Sequence, residues 1–306
     1  MGFMVILSQV ALMFAMMALG LFGAKKRWIS NDAIIGMTNV LVYFVNPCVI
    51  VSAFHRPFSW SQLHDLSLVT LISAGSYVLL IPAVALLYSK VADPDRRRAL
   101  KFGAVYANVG FFGIPLAQAL LGADGVFYVV ISVVFFNVFA WTHGWAMFPG
   151  ERKSPLKQLF SNPALPSVLI GLVLFFTSVQ LPDIVAQGLS YMTAINAPLS
   201  MIVIGANLAA VAWSSFLKDV LLWVGSAVRT IAVPLIGILV LWPIPLPVSA
   251  RLAILIALGC PVGAYLVMFS VMRNAETTFP TRLVCLSTLM CLVTLPASLT
   301  LANLIW

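Results

Sequence analysis

The sequence predicts an all-α membrane protein: ten transmembrane helices built as a 5+5 inverted repeat, with helices 4 and 9 broken. Three observations carry that prediction. The first is composition. Of 306 residues, 62% are hydrophobic and 8% are charged, and the mean hydropathy is +1.06. Soluble domains carry roughly 45–50% apolar and about 25% charged residues, so this chain has too little polar surface to face water. The second is a series of apolar stretches, each long enough to cross ~30 Å of hydrocarbon at ~1.5 Å per residue. The third is an echo between the two halves of the chain. A soluble enzyme, a disordered chain and a disulfide-stapled secreted domain are excluded by the same composition.

The ten stretches fall near residues 3–23, 33–54, 66–88, 100–121, 125–147, 164–180, 193–213, 217–241, 249–272 and 278–303. Barrel strands would be about half as long and would alternate polar with apolar residues. The first stretch lacks a basic leader and is followed by Lys25-Lys26-Arg27, which reads as a span with a cytoplasmic stop rather than a cleavable signal. The second holds Asn46-Pro47, the third Gly75-Ser76 and Pro82, the fourth Asn108-Val-Gly110-Phe-Phe-Gly113-Ile114-Pro115, and the fifth Asn137 and His143. The longest polar stretch, Gly150 to Asn162, then separates residues 1–150 from 151–306. After the sixth, the seventh holds Asn196-Ala-Pro198, the eighth Gly225-Ser226, Arg229 and Pro234, and the ninth Gly259-Cys260-Pro261-Val-Gly263 with Tyr265. The tenth carries Ser287 and Pro296.

Four of these features recur in the same order roughly 150 residues apart: Asn-Pro, Gly-Ser, the proline after it, and the glycine-proline cluster. With five spans per half, the second half enters the bilayer upside down, an arrangement found in secondary transporters. Fourteen of the 17 Lys and Arg residues lie in or beside the connections that follow spans 1, 3, 5, 7 and 9; Arg56 and Arg251 lie on the other side, and Arg229 sits within a span. Basic residues collect on the cytoplasmic side, so both termini are expected outside the cytoplasm of a cell-membrane protein. The same distribution accounts for the net charge of +8 without nucleic acid as a partner.

Candidate chemistry concentrates where helices should fail. Proline removes an N–H and its ring strikes the carbonyl four residues back, so span 4 is expected to break near Gly113 and span 9 at Gly259–Gly263. Irregular backbone at membrane depth survives only inside protein or beside a wet cavity. Both second half-helices would start at the midplane, aiming positive dipole ends at its centre, where an anion is favoured. The proposed contacts are Asn108, Gly110, Gly113, Ile114, Pro115, Cys260, Pro261, Gly263, Tyr265 and Arg229, with Asn46, Pro47, Asn196 and Pro198 as scaffold polar and kink positions. Arg229 has two readings at this stage: a brace for carbonyls exposed by the breaks or by Pro234, or an attractor for a carboxylate. Asn137 and Asn207 read as interhelical hydrogen bonding, and His143 as packing ahead of proton relay.

No span holds a mid-membrane Asp or Glu, and Cys48, Cys260, Cys285 and Cys291 form no metal or redox cluster. No catalytic residue, metal or cofactor is expected, and Ser8, Ser200 and Ser287 lack the context of a nucleophile.

The motif Asn108-x-Gly110-Phe111-x-Gly113-Ile114-Pro115, with Pro198-Leu199-Ser200-Met201, Arg229 with Pro234, and Thr294-Leu295-Pro296, resembles the auxin efflux carrier family. That family includes bacterial members described as malonate and malate permeases, and the likeness runs from residue 3 to about 303. It implies a carrier related to bile-acid symporters: a scaffold of spans 1, 2, 6 and 7, and a transport part of spans 3–5 and 8–10 in which broken helices 4 and 9 cross. The long plant members' hydrophilic loop is missing, and span 9 offers no amide or acid for a symporter-type sodium site.

The expected function is therefore a carrier moving a small organic anion, a mono- or dicarboxylate, by alternating access. An anion channel and a sodium-coupled symporter are the alternatives, and an enzyme is not expected. The partners are the substrate and the bilayer, with a homodimer left open. Orientation is directly testable: a cysteine introduced at Arg97 should react with an impermeant maleimide only after the cells are permeabilised. Labelling in intact cells would invert the topology.

Overall fold

The computed structural model describes residues 3–150, 163–209, 211, 216 and 219–306. Most of the polar stretch between the expected halves, Glu151 to Asn162, lies outside the described residues. Within them the protein is all-helical, with eleven helices: α1 Phe3–Lys25, α2 Asn31–Phe54, α3 Trp60–Leu87, α4 Pro94–Val105, α5 Val109–Gly144, α6 Ala164–Thr177, α7 Asp183–Leu208, α8 Val220–Leu241, α9 Val248–Gly259, α10 Tyr265–Met272 and α11 Thr278–Ile305. Seven of these, α1, α2, α3, α5, α7, α8 and α11, are long and apolar enough to cross a membrane; α6 and α9 are apolar but shorter. This is a multi-pass membrane protein.

Local chemistry explains most boundaries. The Asp93 side chain accepts from the backbone N–H groups of Asp95 (2.9 Å) and Arg96 (3.2 Å), and Pro94 supplies the pre-set first turn of α4,. Helix α7 starts at Asp183, well ahead of the apolar stretch near 193, because Asp183, Gln187 and Ser190 depress hydropathy without opposing a helix. Helix α5 runs for 36 residues, about 54 Å if straight, which far exceeds a bilayer core. It is not straight: Gly122, at φ 65° and ψ −150°, turns the chain inside it. That left-handed φ is open to glycine and strained for side chains with a Cβ.

Three prolines are absorbed by one device. Ahead of Pro47, Pro115 and Pro234 the helix widens into a π-type turn, at Leu41–Val45, Val109–Gly113 and Val228–Ala232. At the exit of each turn an N–H reaches five residues back: Asn46 to Leu41, Ile114 to Val109, Val233 to Val228. The wider turn shifts the carbonyl frame before the proline ring arrives, so the helix continues past it. The expected break near Gly113 is thereby corrected. Gly113 and Pro115 lie on a continuous helical path, and the non-helical residues are Tyr106, Ala107 and Asn108.

Packing follows membrane logic, with the apolar exterior as the solvent-facing side. Leu19, Leu79, Leu86, Leu239 and Leu304 are exposed, while Ser73, Asn108, Asn137, Asn196, Arg229 and Thr288 are buried. Helix α1 lies along α7, and α2 packs on α6 and α7; α5 packs on α3 and α9, and α8 on α11. The α1–α7 contact is backbone on backbone: a Cβ at Gly20 would overlap the Ile202 carbonyl, and one at Gly205 the Met17 carbonyl. Lipid tails offer helices no hydrophobic drive to associate, so close approach through small residues supplies the attraction.

Ion pairs tie distant connections together at the two ends. Arg96 and Arg282 reach Asp219 at 3.3 and 3.7 Å, which places the α3–α4, α7–α8 and α10–α11 connections on one side. Arg56 meets Asp124 at 2.8 Å, and the Leu181 N–H donates to His55 Nε2 at 3.1 Å, which gathers the α2–α3 connection, the turn inside α5 and the α6–α7 connection on the other. Gly205→Val should pry α1 from α7 and destabilise the fold by ~1–3 kcal/mol. Gly36→Ala, where a Cβ meets nothing within 4 Å, should leave it unchanged or gain up to about 1 kcal/mol. Thermal unfolding in detergent compares the two.

Candidate functional site

The site is built where α4 and α9 stop. Between α4 and α5 the chain leaves the helical path at Tyr106–Asn108, and between α9 and α10 at Cys260–Gly263. The two segments run antiparallel and bridge at Ala107 and Val262. The Asn108 N–H donates to the Pro261 carbonyl and the Gly263 N–H to the Tyr106 carbonyl, both at 2.8 Å. The Val262 N–H donates to Ser287 Oγ at 3.1 Å, so α11 closes the third side. Gly263 is required for this approach: a Cβ there would stand 3.0 Å from the Tyr106 oxygen and 3.2 Å from that of Ala107.

Helices that stop inside a protein leave carbonyls at one end and N–H groups at the other. Arg229, 1% exposed, takes the carbonyl ends. Its Nε donates to Cys260 O at 3.0 Å, Nη1 to Ala104 O at 3.0 Å and Val105 O at 3.4 Å, and Nη2 to Ala257 O at 3.2 Å and Leu258 O at 2.5 Å. These are carbonyls of the last turns of α4 and α9 and the first after α9; the Gly259 carbonyl between them accepts from Cys291 Sγ at 3.5 Å. A guanidinium carries five N–H groups, and five bonds use them. The cation also lies at the negative poles of both helix dipoles.

The N–H ends face elsewhere. A second cavity, sharing no lining residue with the one beside Arg229, is bounded by Asn46, Asn108, Gly110, Phe111, Ile114, Phe136, Asn137, Ala264 and Tyr265 together with aliphatic residues. The backbone N–H groups of Gly110 and Phe111, in the first turn of α5, and of Ala264, at the cap of α10, make no hydrogen bond among the described residues. Neither does the side-chain amide of Asn108, and Asn46 Oδ1 is buried with no partner among the described residues. Asn137 accepts from the Tyr265 hydroxyl at 3.1 Å and donates to Val133 O at 2.9 Å. Among the described residues, no acid, lysine or arginine lines this cavity. Its volume is about 40 Å³, room for a few waters and far below the ~300–1,000 Å³ of ligand pockets.

The residues singled out from sequence thus separate into groups. Asn108, Gly110, Ile114 and Tyr265 meet at the cavity, and Asn46 joins them from α2. Pro261 and Gly263 form the crossing. Gly113 packs on Cys260, whose sulfur would lie 3.1 Å from a Cβ at that glycine. Pro115 and Pro47 shape their own helices. Asn196 accepts from Ser200 within α7 at 3.3 Å, and Pro198 lies inside the same helix. Asn137 makes the interhelical hydrogen bond expected of it, to Tyr265, and also lines the cavity; Phe111, inside the motif, and Phe136 are lining residues that the sequence does not single out, because facing the crossing needs the fold to be seen.

Comparison with known proteins now bears on the same elements. The profile of the family described as "Membrane transport protein" matches twice, over residues 5–158 and again over 151–299. The chain belongs to this family. It is the auxin-efflux-carrier type of transport family, in agreement with the motif around Asn108 and Pro115. An uncharacterized transporter of Methanocaldococcus jannaschii is 24% identical over 183 residues, which are 56% of this chain and 59% of the relative. The match spans less than two thirds of that relative's length. In this membrane transport protein the crossing should be sterically exacting while the cavity wall is not. Gly263→Val should lower stability by ~1–3 kcal/mol, whereas Gly110→Ala, whose Cβ meets nothing within 4 Å, should fold normally; melting curves of the two variants test the contrast.

Proposed function

We propose that this membrane transport protein is a secondary carrier for a small organic anion. The observation that supports the reading best is the convergence, on one cavity, of the Asn108 amide and three backbone N–H groups from two helix starts, with no partner and no acid for them among the described residues. Helix N-termini are favourable places for an anion, each contributing roughly 0.3–1 kcal/mol and more when water is excluded. The Asn108 amide can donate to a carboxylate, and Asn46, on the opposite wall, offers a further polar contact.

The lining also speaks to substrate. Phe111, Phe136, Ile114 and Val133 surround the amides, so an apolar or aromatic body fits beside one carboxylate. A dicarboxylate would bury a second charge with no cation among the described lining residues to meet it, at a cost of several kcal/mol. A monocarboxylate is therefore favoured over the dicarboxylates suggested by malonate and malate permeases. Arg229 is assigned to bracing, because its five donors are already engaged.

The architecture in this reading is ten spans in two inverted halves, residues 1–150 and 151–306, with both termini outside the cytoplasm of the cell membrane. The double family match supports the duplication, and α4 with the first arm of α5, and α9 with α10, are its two broken, crossing helices. Helices α1, α2, α6 and α7 form the scaffold, which contributes Asn46; the rest form the moving part, which contributes Asn108 and Tyr265. A cavity of about 40 Å³ must widen before substrate enters, which is the motion alternating access requires and an open channel does not.

Proteoliposome counterflow with labelled mono- and dicarboxylates tests the proposal. Asn108→Ala should weaken apparent affinity about fivefold, the loss of ~1 kcal/mol of hydrogen bonding, and Pro261→Ala should depress the rate by disturbing the crossing. Normal transport by both variants would remove the site from the crossing.

A further inference from the structure

In carriers with discontinuous helices, the C-terminal ends of half-helices and the unwound carbonyls beside them are where coupling Na⁺ or H⁺ is held. Here such carbonyls converge: those of Ala104, Val105, Ala257, Leu258 and Cys260 each lie 2.5–3.4 Å from one of three neighbouring nitrogen positions. Those positions belong to the Arg229 guanidinium, and no carboxylate pairs with it among the described residues. Beside it lies a cavity of about 20 Å³ lined by Ser73, Ser76, Tyr77 and Ser132, room for about one water. The Ser73 and Ser132 hydroxyls, both on its wall, share a hydrogen bond of 3.1 Å. Carbonyl and hydroxyl oxygens are the ligands hard cations take. A free cation in this space would face the guanidinium at close range in low dielectric, where like charges repel strongly.

We infer that Arg229 is a tethered substitute for a coupling cation, so that the crossing carries its own positive charge and binds no Na⁺. The inference rests on reading the chain as an anion carrier, and it decides which kind: one whose anion moves without a sodium ion bound at the carbonyl cage. The fixed charge does for the two C-terminal dipoles what a bound ion would do, but cannot leave. It also accounts for a buried arginine that pairs with no acid among the described residues, in a helix, Val220–Leu241, that contains none. Cutting the side chain back to Cβ should convert the cage into a vacant site for a small cation, walled by five carbonyls and four hydroxyl side chains.

Thermal unfolding of the purified protein in detergent, without substrate, tests this independently of the anion site. The native midpoint should respond alike to NaCl and choline chloride at equal ionic strength. Arg229→Ala should melt lower, and guanidinium chloride at about 50 mM or less should raise it saturably by roughly 5 °C, while leaving native protein and the control Arg251→Ala without any such rise. A saturable Na⁺-specific rise in the native protein overturns the inference. So does a folded Arg229→Ala that responds to neither guanidinium nor Na⁺. Should that variant not accumulate, Arg229→Lys against Arg229→Met decides: similar lengths, with and without charge. The inference requires Lys to melt above Met, and equal or inverted midpoints overturn it. If neither accumulates, the native Na⁺ response decides alone. A failure of the anion reading would appear only in counterflow and would leave these midpoints as they are.

Discussion

Five carbonyls held by one guanidinium are the constraint on which the rest of this structure depends. Two helices end inside the protein at Val105 and Gly259, where no bulk water can satisfy the backbone. Each orphaned polar group in such surroundings costs several kcal/mol, so an interior crossing of two extended segments is untenable unless its hydrogen bonds are closed. The Tyr106–Gly263 and Asn108–Pro261 bonds close the middle, Ser287 closes one flank, and Arg229 closes the carbonyl ends. Burying a guanidinium is itself expensive. The exchange is sustained because the charge and the orphaned carbonyls offset each other in one place.

That arrangement separates the crossing into two electrostatic faces. Carbonyl ends gather on the Arg229 side, and N–H ends gather on the side of Asn46, Asn108 and Asn137. With the negative poles neutralised, the helix starts at Gly110 and Ala264 keep their positive character toward the second cavity. A carrier needs a binding place that is neither too attractive nor too hostile to its ligand, and backbone N–H groups with amides give moderate attraction without a fixed counter-charge. The proposed anion site and the proposed tethered cation are thus two consequences of one topology.

The in-span prolines show how the membrane interior tolerates what soluble helices reject. Pro47, Pro115 and Pro234 each follow a widened turn that shifts the hydrogen-bond frame by one residue, and π-type turns are common at functional positions. One of them contains Arg229 and another contains Gly110 and Phe111. The glycines at Gly20 and Gly205 serve the opposite purpose, making one helix pair close and rigid. Rigid α1–α7 packing and an accommodating crossing are what a scaffold and a moving part would each require.

Much was legible in the chain itself. Apolar length and scarcity of charge dictated a multi-pass helical membrane protein, since only helices and closed barrels satisfy backbone polar groups in lipid and these stretches are too long and too uniformly apolar for barrel strands. The Asn108–Pro115 motif pointed to the transport family, and Asn108, Gly110, Ile114 and Tyr265 were selected from positions that do line one cavity. Local patterns could not say which residues face one another across the fold. Proline content suggested a break at Gly113, but a proline reports only its own missing N–H; where the helix ends depends on whether neighbouring segments can receive the freed groups. The crossing receives those of Tyr106–Asn108, eight or so residues earlier than the proline, so the break lies there. The interhelical hydrogen bond expected of Asn137 is there, to Tyr265, but that it and Asn46, a scaffold polar and kink position in the sequence, border the same cavity needed the fold. Arg229 held two readings in the sequence because a buried charge announces that it has a partner without naming it. Only the tertiary structure brought five carbonyls from two distant helices to that side chain, because hydrogen bonding across a fold is set by three-dimensional distance and not by separation along the chain.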